Sequence, residues 1–449
     1  MNLKLTRRQV LTGAALAASG IGAGSRYSAL ANVTLGTKET AHNTKDALVI
    51  LFLRGGADGL NMVAPYGDDN YYRLRPTLAL ARPNDKAASA ASRALDLDGF
   101  FGLHPALAPL HSLYKEGKFT AVHGVGSDDR TRSHFEAMAT MERGLGRQAG
   151  LASGWLARHL QLTAGAFELP LRAVAFADTL PDTMRGATTA VTLTSLTDYR
   201  LVAPTAVQGQ PPLPDRAQAL TDSLKRMYGE ASTTKETSTL DPYQLPMPLE
   251  QVGRETLAAM TAIQRLDPAH YRPEHGAAYP ATTLGSGFQQ TACLLKGDVG
   301  MEVAFLEMRG SWDTHFAQGR ETGLQARLLG DLAQSLAAFV KDLNTRMKHV
   351  TVLVMTEFGR RAYENYSLGT DHGRASCFLL LGEGVVGGKV HGDFPGLAQD
   401  KLEDGGDLRV TTDYRDILAE VLYKRMKNSR AGEVFPEYAP QFKGVVREI

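Results

Sequence analysis

One stretch near the carboxyl end of the chain constrains the fold more than any other. It begins with a β-branched apolar run, Val350 to Met355, which gives way to a polar group containing Glu357. A second polar group, with Asp371 and His372, precedes another apolar run, Cys377 to Leu381. In an open α/β sheet, ligands bind beyond the carboxyl ends of the strands, where loops hold side chains over a rigid floor. A carboxylate and an Asp-His pair at such positions indicate a metal or catalytic site.

Three further apolar runs of strand length occur earlier in the chain. These runs are Ala47 to Leu53, Phe119 to His123 and Met301 to Met308. Runs without polar interruption are expected for strands buried on both faces, as in parallel sheets. Segments with helical spacing separate the runs, and they cover residues 104–117, 133–142, 214–228, 248–266, 319–347 and 413–426. The alternation predicts an α/β fold with a largely parallel central sheet and helices on both faces.

Acidic and histidine side chains follow these runs as well. Asp58 lies in a glycine-rich segment after the first run, and Asp313 and His315 follow the Met301 run. Carboxylate oxygen and imidazole nitrogen both suit zinc, manganese or iron. Random scatter of 12 histidines and 48 acids does not usually place them at so many strand ends, so we predict one site assembled from distant segments. Around Asp58 alone, an ordinary strand-to-loop turn explains the composition equally well.

The loop after the Phe119 run is a candidate nucleophile and anion site. It carries three hydroxyl groups, at Ser127, Thr131 and Ser133, and it includes Arg132 and His134. It leads into a predicted helix, whose amino-terminal amides favour anions. We prefer Ser133 as the nucleophile because it stands at the predicted helix start. The alternative is that Ser133 or Thr131 only caps the helix and that the arginines are solvated.

The balance of charge excludes two classes of partner. With 49 basic and 48 acidic residues the net charge is +1, so no long-range field favours nucleic acid or an anionic membrane surface. A hydrophobic content of 43% over 449 residues is enough for a large core. We therefore expect a globular protein with no nucleic-acid partner and no integral membrane segment in its mature chain.

The amino terminus has the pattern of an export signal. Arg7 and Arg8 precede a Gly- and Ala-rich stretch to about Ala23, and Ala29 to Ala31 offers a small-residue cleavage site. The stretch is too short and too rich in glycine to span a bilayer. The pattern predicts a twin-arginine signal over residues 1–31, with the twin-arginine translocase as export partner and a periplasmic or secreted location.

Residues 150–300 differ in character from the rest of the chain. Short strand-like pieces at 171–176 and 190–193 alternate with helices, and 229–246 is rich in Ser, Thr and Pro. We interpret 32–449 as one domain in which 150–300 forms an inserted cap that shapes access to the site.

The chain has two cysteines, Cys293 and Cys377. Because Cys377 lies inside an apolar run, we expect both to be free thiols in the core. A disulfide between them is the alternative.

Five motifs, in this order, carry a family resemblance: LRGGADGLN, DRTRSHFEA, GSWDTH, TEFGR and GTDHG. They resemble the twin-arginine-exported proteins grouped as domain of unknown function family 1501. More distantly, the arrangement resembles the alkaline phosphatase, sulfatase and cofactor-independent phosphoglycerate mutase superfamily. The resemblance covers nearly all of the mature chain. It implies an alkaline phosphatase-like sandwich with bound divalent metal ions, which could be zinc, manganese, calcium or iron.

The resemblance also implies a set of metal ligands. They are Asp58, Asp313, His315, Glu357, Asp371 and His372. Two registers are open for the last segment. In one, Asp371 and His372 form the Asp-His pair of the superfamily. In the other, which fits the strand order better, Glu357 takes that place, His372 supplies the final histidine of the other metal, and Phe358 stands where a metal-binding histidine is expected.

The function implied is hydrolysis of phosphate or sulfate esters, on a small molecule or a polysaccharide. Ser133 would attack phosphorus or sulfur, with His134 beside it and with Arg132 or Arg54 neutralising the non-bridging oxygens. The sulfatase nucleophile motif Cys/Ser-x-Pro-x-Arg is missing from this loop, so formylglycine chemistry is not expected. The alternative is a non-catalytic exported binding or assembly factor on a degenerate hydrolase fold, which the phenylalanine at 358 favours.

Overall fold

The structure, a computed structural model, describes residues 46–146, 151–163, 169–188, 190–200, 215–228, 249–310 and 312–448. The predicted export signal at 1–31 and the polar loop at 229–246 lie outside these residues. Within them, no helix is both long and apolar enough to cross a membrane.

Strands and helices are numbered here in chain order. The strands are β1 Ala47–Arg54, β2 Val63–Ala64, β3 Leu95–Asp96, β4 Gly102–Leu103, β5 Phe119–Gly126, β6 Ala173–Phe176, β7 Ala190–Leu193, β8 Val303–Arg309, β9 Val350–Thr356, β10 Ser376–Leu381, β11 Val390–His391 and β12 Thr412–Asp413. The helices are α1 Gly59–Met62, α2 Asp69–Leu74, α3 Ala108–Lys115, α4 His134–Arg143, α5 Trp155–Leu162, α6 Asp215–Tyr228, α7 Leu249–Leu266, α8 Thr283–Lys296, α9 Leu324–Leu343 and α10 Tyr414–Lys424.

Nine of the described strands form one sheet. Its order is β7-β6-β8-β1-β9-β10-β5-β11, and β12 also pairs with β5. All the pairings are parallel except those of β10, which is antiparallel to both β9 and β5. Strands β2, β3 and β4 form a separate small antiparallel sheet.

Strand β1 is apolar from Ala47 to Leu53 because both of its faces are buried. Its odd-numbered side chains, such as Leu51, pack into a core with helices α3, α8 and α9 on one face of the sheet. Its even-numbered side chains, such as Ile50, pack into a second core with α5 and α10 on the other face. Each such buried side chain contributes roughly 1.5–3 kcal/mol of transfer free energy. The predicted fold class, an α/β sandwich with a largely parallel central sheet and helices on both faces, is confirmed.

The predicted cap, residues 150–300, contributes to the sheet itself. Strands β6 and β7 extend the sheet beyond β8, and helix α8 lies in the same core as α9. The division into a body and a cap stays a prediction. Cys293 in this region is buried and free, as is Cys377 in β10.

The sheet topology brings the polar segments to one edge. The carboxyl ends of β1, β5, β8 and β9 meet there, and the amino end of β10 joins them because β10 runs antiparallel to its neighbours. The segments after β9 and before β10 are bound to each other closely. Gly359 N donates to Arg374 O at 2.9 Å, and Gly373 N donates to Gly359 O at 2.9 Å. A Cβ on Gly359 would lie 1.9 Å from Ala375 O, so only glycine fits.

We expect Gly359→Ala to lower the free energy of unfolding by at least about 1–3 kcal/mol, because the added methyl group forces these two segments apart. The control is Gly330→Ala in the middle of α9, where an added Cβ meets nothing within 4 Å. That change should instead stabilise the protein by about 0.5–1 kcal/mol, since alanine favours a helix over glycine. Urea titration of both variants measures the difference. Equal unfolding midpoints would contradict the packing described here.

Candidate metal centre

A buried arginine fixes the loops at this edge. Arg360 is almost fully buried, and its guanidinium donates from Nε to Gly56 O at 2.6 Å and from Nη1 to Thr370 O at 3.0 Å. Its Nη2 donates to Trp312 O at 3.0 Å and to Asp313 Oδ1 at 2.6 Å. One side chain after β9 therefore holds the loops that follow β1 and β8 and the segment that precedes β10.

Three imidazoles share one pattern of hydrogen bonding. In each ring, Nδ1 contacts an oxygen that can only accept, so Nδ1 carries the proton and the Nε2 lone pair faces the other way. The partners are Glu357 Oε1 for His134 at 2.7 Å, Asp371 Oδ1 for His315 at 3.0 Å and Arg132 O for His372 at 2.8 Å. Carboxylates and carbonyls that orient histidines in this way are typical of metal centres.

The Nε2 atoms converge on the carboxylate of Asp313. Asp313 Oδ1 lies 2.9 Å from His372 Nε2 and 3.1 Å from His315 Nε2. Asp313 Oδ2 lies 3.5 Å from His134 Nε2. Ligand atoms of His134, Asp313 and His372 all lie within 4.8 Å of one another, and His315 Nε2 is 3.0 Å from His372 Nε2. His134, Asp313 and His372 have the mutual spacing of ligands to one metal ion, and His315 Nε2 adjoins two of them as a fourth candidate donor, so the donor set has three nitrogens and one carboxylate.

This donor set fits one divalent metal ion. The Nε2 atoms of His315 and His372 lie 3.0 Å apart, and two nitrogen lone pairs at this distance repel unless a cation or a proton lies between them. Zinc–nitrogen distances of about 2.0–2.1 Å put tetrahedral ligand atoms roughly 3.3 Å apart, close to the separations here. His134 Nε2 is buried and has no hydrogen-bond partner among the described residues. A metal ion would satisfy it.

The electrostatics keep the carboxylate ionised. Burial raises the pKa of Asp313, but the hydrogen bonds from Arg360 and His372, together with the charges of Arg360 and His315, outweigh it and bring this pKa down to about 2. The hydrogen bond to Glu357 raises the pKa of His134. Burial lowers the pKa of His372 and so favours the neutral ring that ligates metal.

Phe358 closes one side of the centre. Its ring stacks on His134 at a centroid distance of 4.8 Å and lies 4.9 Å from the ring of His372. The opposite side of the ring packs on Gly56, where a Cβ would lie 2.6 Å from Phe358 Cε2. The space beside the donor set, where a metal-binding histidine was expected from the sequence, is therefore filled by the apolar ring of Phe358.

Asp58, predicted from the sequence to be a metal ligand, pairs with a buried arginine and lies outside the donor set. Arg75 donates to both of its carboxylate oxygens, at 2.6 and 3.0 Å, and Gln318 Nε2 donates to Oδ2 at 2.6 Å. Both charged side chains are buried. A guanidinium that occupies both oxygens excludes a second cation from them.

Glu357 and Asp371 lie behind the imidazoles instead of contacting the metal position. Glu357 Oε1 also accepts from Gly55 N at 2.8 Å, and its Oε2 accepts from Thr356 Oγ1 at 3.0 Å. Asp371 Oδ1 also accepts from Asn365 Nδ2 at 3.0 Å. We therefore revise both from ligands to residues that orient His134 and His315.

His134, expected from the sequence to be catalytic, belongs to the donor set because its Nε2 faces Asp313. Asp313, His315 and His372 keep the roles predicted for them, and those roles stay predictions.

Ser133 is the most available hydroxyl in the loop after β5. Thr131 Oγ1 donates to Glu136 at 2.7 Å and accepts from Ser133 N at 3.2 Å, while Ser127 Oγ accepts from Asp129 N at 3.1 Å. Ser133 is the residue before α4, and its side chain does not cap the helix. Its hydroxyl makes no hydrogen bond within the described part of the chain, and it adjoins His134.

The two arginines expected to neutralise a bound anion are both engaged elsewhere. Arg132 donates to Asp407 Oδ2 at 2.6 Å, so it is the Arg132 carbonyl, not its guanidinium, that reaches the centre. Arg54 donates to Glu307 at 2.6 Å and to Glu142 at 2.8 Å. The expected role of these guanidinium groups is therefore not supported. The residue that sequence reasoning missed is Arg360, and its only signal was its place in the TEFGR motif.

Comparison with known proteins shows the family to which the chain belongs. Residues 45–434 match the family described as Protein of unknown function (DUF1501). The chain belongs to this family. A comparison with curated proteins finds no match.

Several solved structures resemble this DUF1501 chain at low similarity. An alkaline phosphatase from the Antarctic bacterium TAB5 has 10% identity and a TM-score of 0.29, with 76% of this chain and 93% of that chain covered. A 2-O GAG sulfatase has 10% identity and a TM-score of 0.27, with 78% and 66% covered. The C-terminal periplasmic domain of EcEptC from Escherichia coli, in complex with Zn, has 9% identity and a TM-score of 0.26, with 79% and 76% covered. These likenesses carry no argument about fold or activity.

Zinc should stabilise the chelator-treated protein, because the donor set exists only in the folded chain. At a free zinc concentration 100 times the dissociation constant, the gain is about 2.7 kcal/mol. We expect His372→Ala to lose most of the corresponding rise in unfolding temperature, measured by differential scanning calorimetry. His270→Ala is the control, because it removes an exposed imidazole that pairs only with Asp267 among the described residues. An undiminished zinc response in His372→Ala would argue against the centre.

Proposed function

We propose that this chain is an exported, metal-dependent hydrolase of phosphate or sulfate esters that uses Ser133 as its nucleophile. The observation that carries the proposal is the set of three imidazole Nε2 atoms facing one ionised carboxylate, with Ser133 next to His134 in the chain and its hydroxyl free of hydrogen bonds within the described residues. The ester belongs to a small molecule or a polysaccharide, and the protein acts in the periplasm or outside the cell. Both of these points rest on the sequence.

Four residues would hold one divalent ion: His134, Asp313, His315 and His372. When bound there, the ion supplies Lewis acidity that lowers the pKa of a hydroxyl group and stabilises charge on a reacting oxygen. Nitrogen-rich donors favour zinc, manganese or iron over calcium, which prefers oxygen ligands.

The chain's own residues supply position and electrostatics. Ser133 precedes α4, and the amides at the start of that helix carry partial positive charge that favours the anionic ester and the developing charge on oxygen. In the proposed first step, the Ser133 Oγ bond to phosphorus or sulfur forms as the ester oxygen leaves, and the hydroxyl proton passes to solvent or to the leaving group. Water then cleaves the Ser133 ester and regenerates the hydroxyl.

A non-catalytic binding or assembly factor is the second candidate function. The ion pair of Asp58 with Arg75 and the ring of Phe358 favour it, because both remove positions at which a second metal would bind. An open coordination position and turnover of a simple ester distinguish the hydrolase from the binding factor.

Ser133→Ala should lower the turnover of an aryl phosphate or aryl sulfate by at least about a thousandfold, because it removes the attacking oxygen. Hydrolysis of 4-nitrophenyl phosphate and 4-nitrophenyl sulfate measures the effect. Ser127→Ala is the control, since the Ser127 hydroxyl makes only local hydrogen bonds: it accepts from Asp129 N and donates to Asp128 Oδ1. Equal activity of Ser133→Ala and the unmodified protein, with equal metal content, would remove Ser133 from the mechanism. No hydrolysis of either ester by the metal-loaded protein would favour the binding factor.

A further inference from the structure

Four large apolar side chains stand exposed around the candidate metal centre. Their relative exposures are 86% for Phe135, 64% for Phe316, 109% for Tyr366 and 54% for Leu368. We call these four residues the apolar rim. They are exposed to solvent, and they occur at the start of α4 and in the loops that carry or support the other metal donors.

The rim is bound to the centre through the backbone. Phe135 follows His134, and Phe316 follows His315. The loop that carries the other two rim residues joins the Phe316 loop, because Ala317 N donates to Ser367 O at 3.1 Å and Gln318 N donates to Leu368 O at 3.0 Å. The rings of His134 and His315 lie 4.4 and 4.6 Å from that of His372. The rim residues therefore belong to the segments that hold His134 and His315.

This concentration of apolar surface is unusual. Elsewhere in the described chain, exposed large apolar residues are Phe100, Leu151, Leu169, Tyr423 and Phe442. Scattered residues of this kind are ordinary on protein surfaces, whereas a group around one site marks an interaction surface. Leu368 also has a φ of 58°, a conformation that favours glycine or asparagine. An exposed leucine at such a position is costly to keep without a use.

We propose that the apolar rim inserts into a lipid surface and that the ester hydrolysed at the metal centre is an amphiphile held in that surface. The choice of ester rests on the proposed function. Side chains that project outward do not enclose a soluble ligand, but they can enter the boundary between lipid headgroups and acyl chains. Phenylalanine and tyrosine suit this boundary, because their rings are apolar and the tyrosine hydroxyl stays in water.

The charged side chains near the rim indicate whether electrostatic attraction or apolar insertion drives binding to the lipid surface. Arg320 pairs with Glu321 at 2.6 Å, and Arg132 pairs with Asp407 at 2.6 Å. With a net charge of +1 for the whole chain, no strong attraction to anionic lipid is expected. Binding should therefore extend to neutral lipid and depend little on salt, as expected for apolar insertion.

The experiment is co-sedimentation of the full exported chain with phosphatidylcholine vesicles at low and high salt. The rim variant combines Tyr366→Ser with Leu368→Asn, and asparagine tolerates the positive φ of residue 368. The control variant combines Tyr423→Ser with Phe442→Asn. These two rings pack together at 5.4 Å, at the end of α10 that lies far from the carboxyl edge of the sheet. Unfolding temperatures of both variants show that the fold is intact.

We expect the unmodified protein and the control to bind at both salt concentrations, and the rim variant to bind at least about tenfold more weakly. Equal loss in both variants, absence of vesicle binding by the unmodified protein, or binding only to anionic vesicles at low salt would each overturn the proposal. So would a rim variant that only disrupts self-association, measured by sedimentation velocity without lipid.

Hydrolysis is measured separately, on a soluble aryl ester and on a phosphate monoester with an acyl-chain anchor in the same vesicles. If the rim variant hydrolyses the anchored ester at least about tenfold more slowly but hydrolyses the soluble ester at the unmodified rate, the amphiphile is supported as the substrate. If only the soluble ester is hydrolysed, the proposal of an amphiphilic substrate is overturned, but the proposal of a hydrolase is not. If the protein binds vesicles but hydrolyses neither ester, the proposal of a hydrolase is overturned, whereas insertion of the rim into a lipid surface is still supported.

Discussion

The buried guanidinium of Arg360 sets the geometry on which the candidate centre depends. Its hydrogen bonds join the loop after β1, the loop after β8 and the segment before β10 to its own position after β9. Only one of these partners is charged, the carboxylate of Asp313. The carboxylate of Asp313 is 43% exposed, so solvent screens this pair, and the buried Arg360 is fixed mainly by its hydrogen bonds to the four backbone carbonyls. The same Oδ1 atom that accepts from Arg360 faces His315 and His372, so the arginine and the metal donors meet at one oxygen.

The centre differs from a two-metal arrangement for two physical reasons. At Asp58, the guanidinium of Arg75 supplies the positive charge that a metal ion would otherwise supply, and it does so in a buried position that solvent does not screen. Beside His134, the ring of Phe358 offers no lone pair. What is left is one set of donors, the three imidazoles and the carboxylate of Asp313, at the carboxyl edge of the sheet. The apolar rim belongs to the segments that hold two of these imidazoles.

Much of the fold could be predicted from the sequence, because parallel strands buried on both faces read as continuous apolar runs. The runs at Val350 and Cys377 match β9 and β10 closely. Sequence position also brought Asp313, His315 and His372 to one edge, since strand ends meet there. The roles of Asp58, Glu357 and Asp371 could not be read in this way, because a carboxylate can face a metal, an arginine or an imidazole. The deciding partners, Arg75, His134 and His315, lie in other segments of the chain, and the sequence alone does not show which carboxylate each of them contacts.

The number of metal ions per chain tests the account most directly. It is measured by inductively coupled plasma mass spectrometry on the exported protein, purified without chelators or a metal-binding tag. The account predicts one divalent ion per chain in the unmodified protein, and none in His372→Ala. Two ions per chain would contradict it, because they would require a second set of donors where Arg75 and Phe358 now lie. No ion in the unmodified protein would contradict it as well, since the three imidazoles would then have no cation to join them.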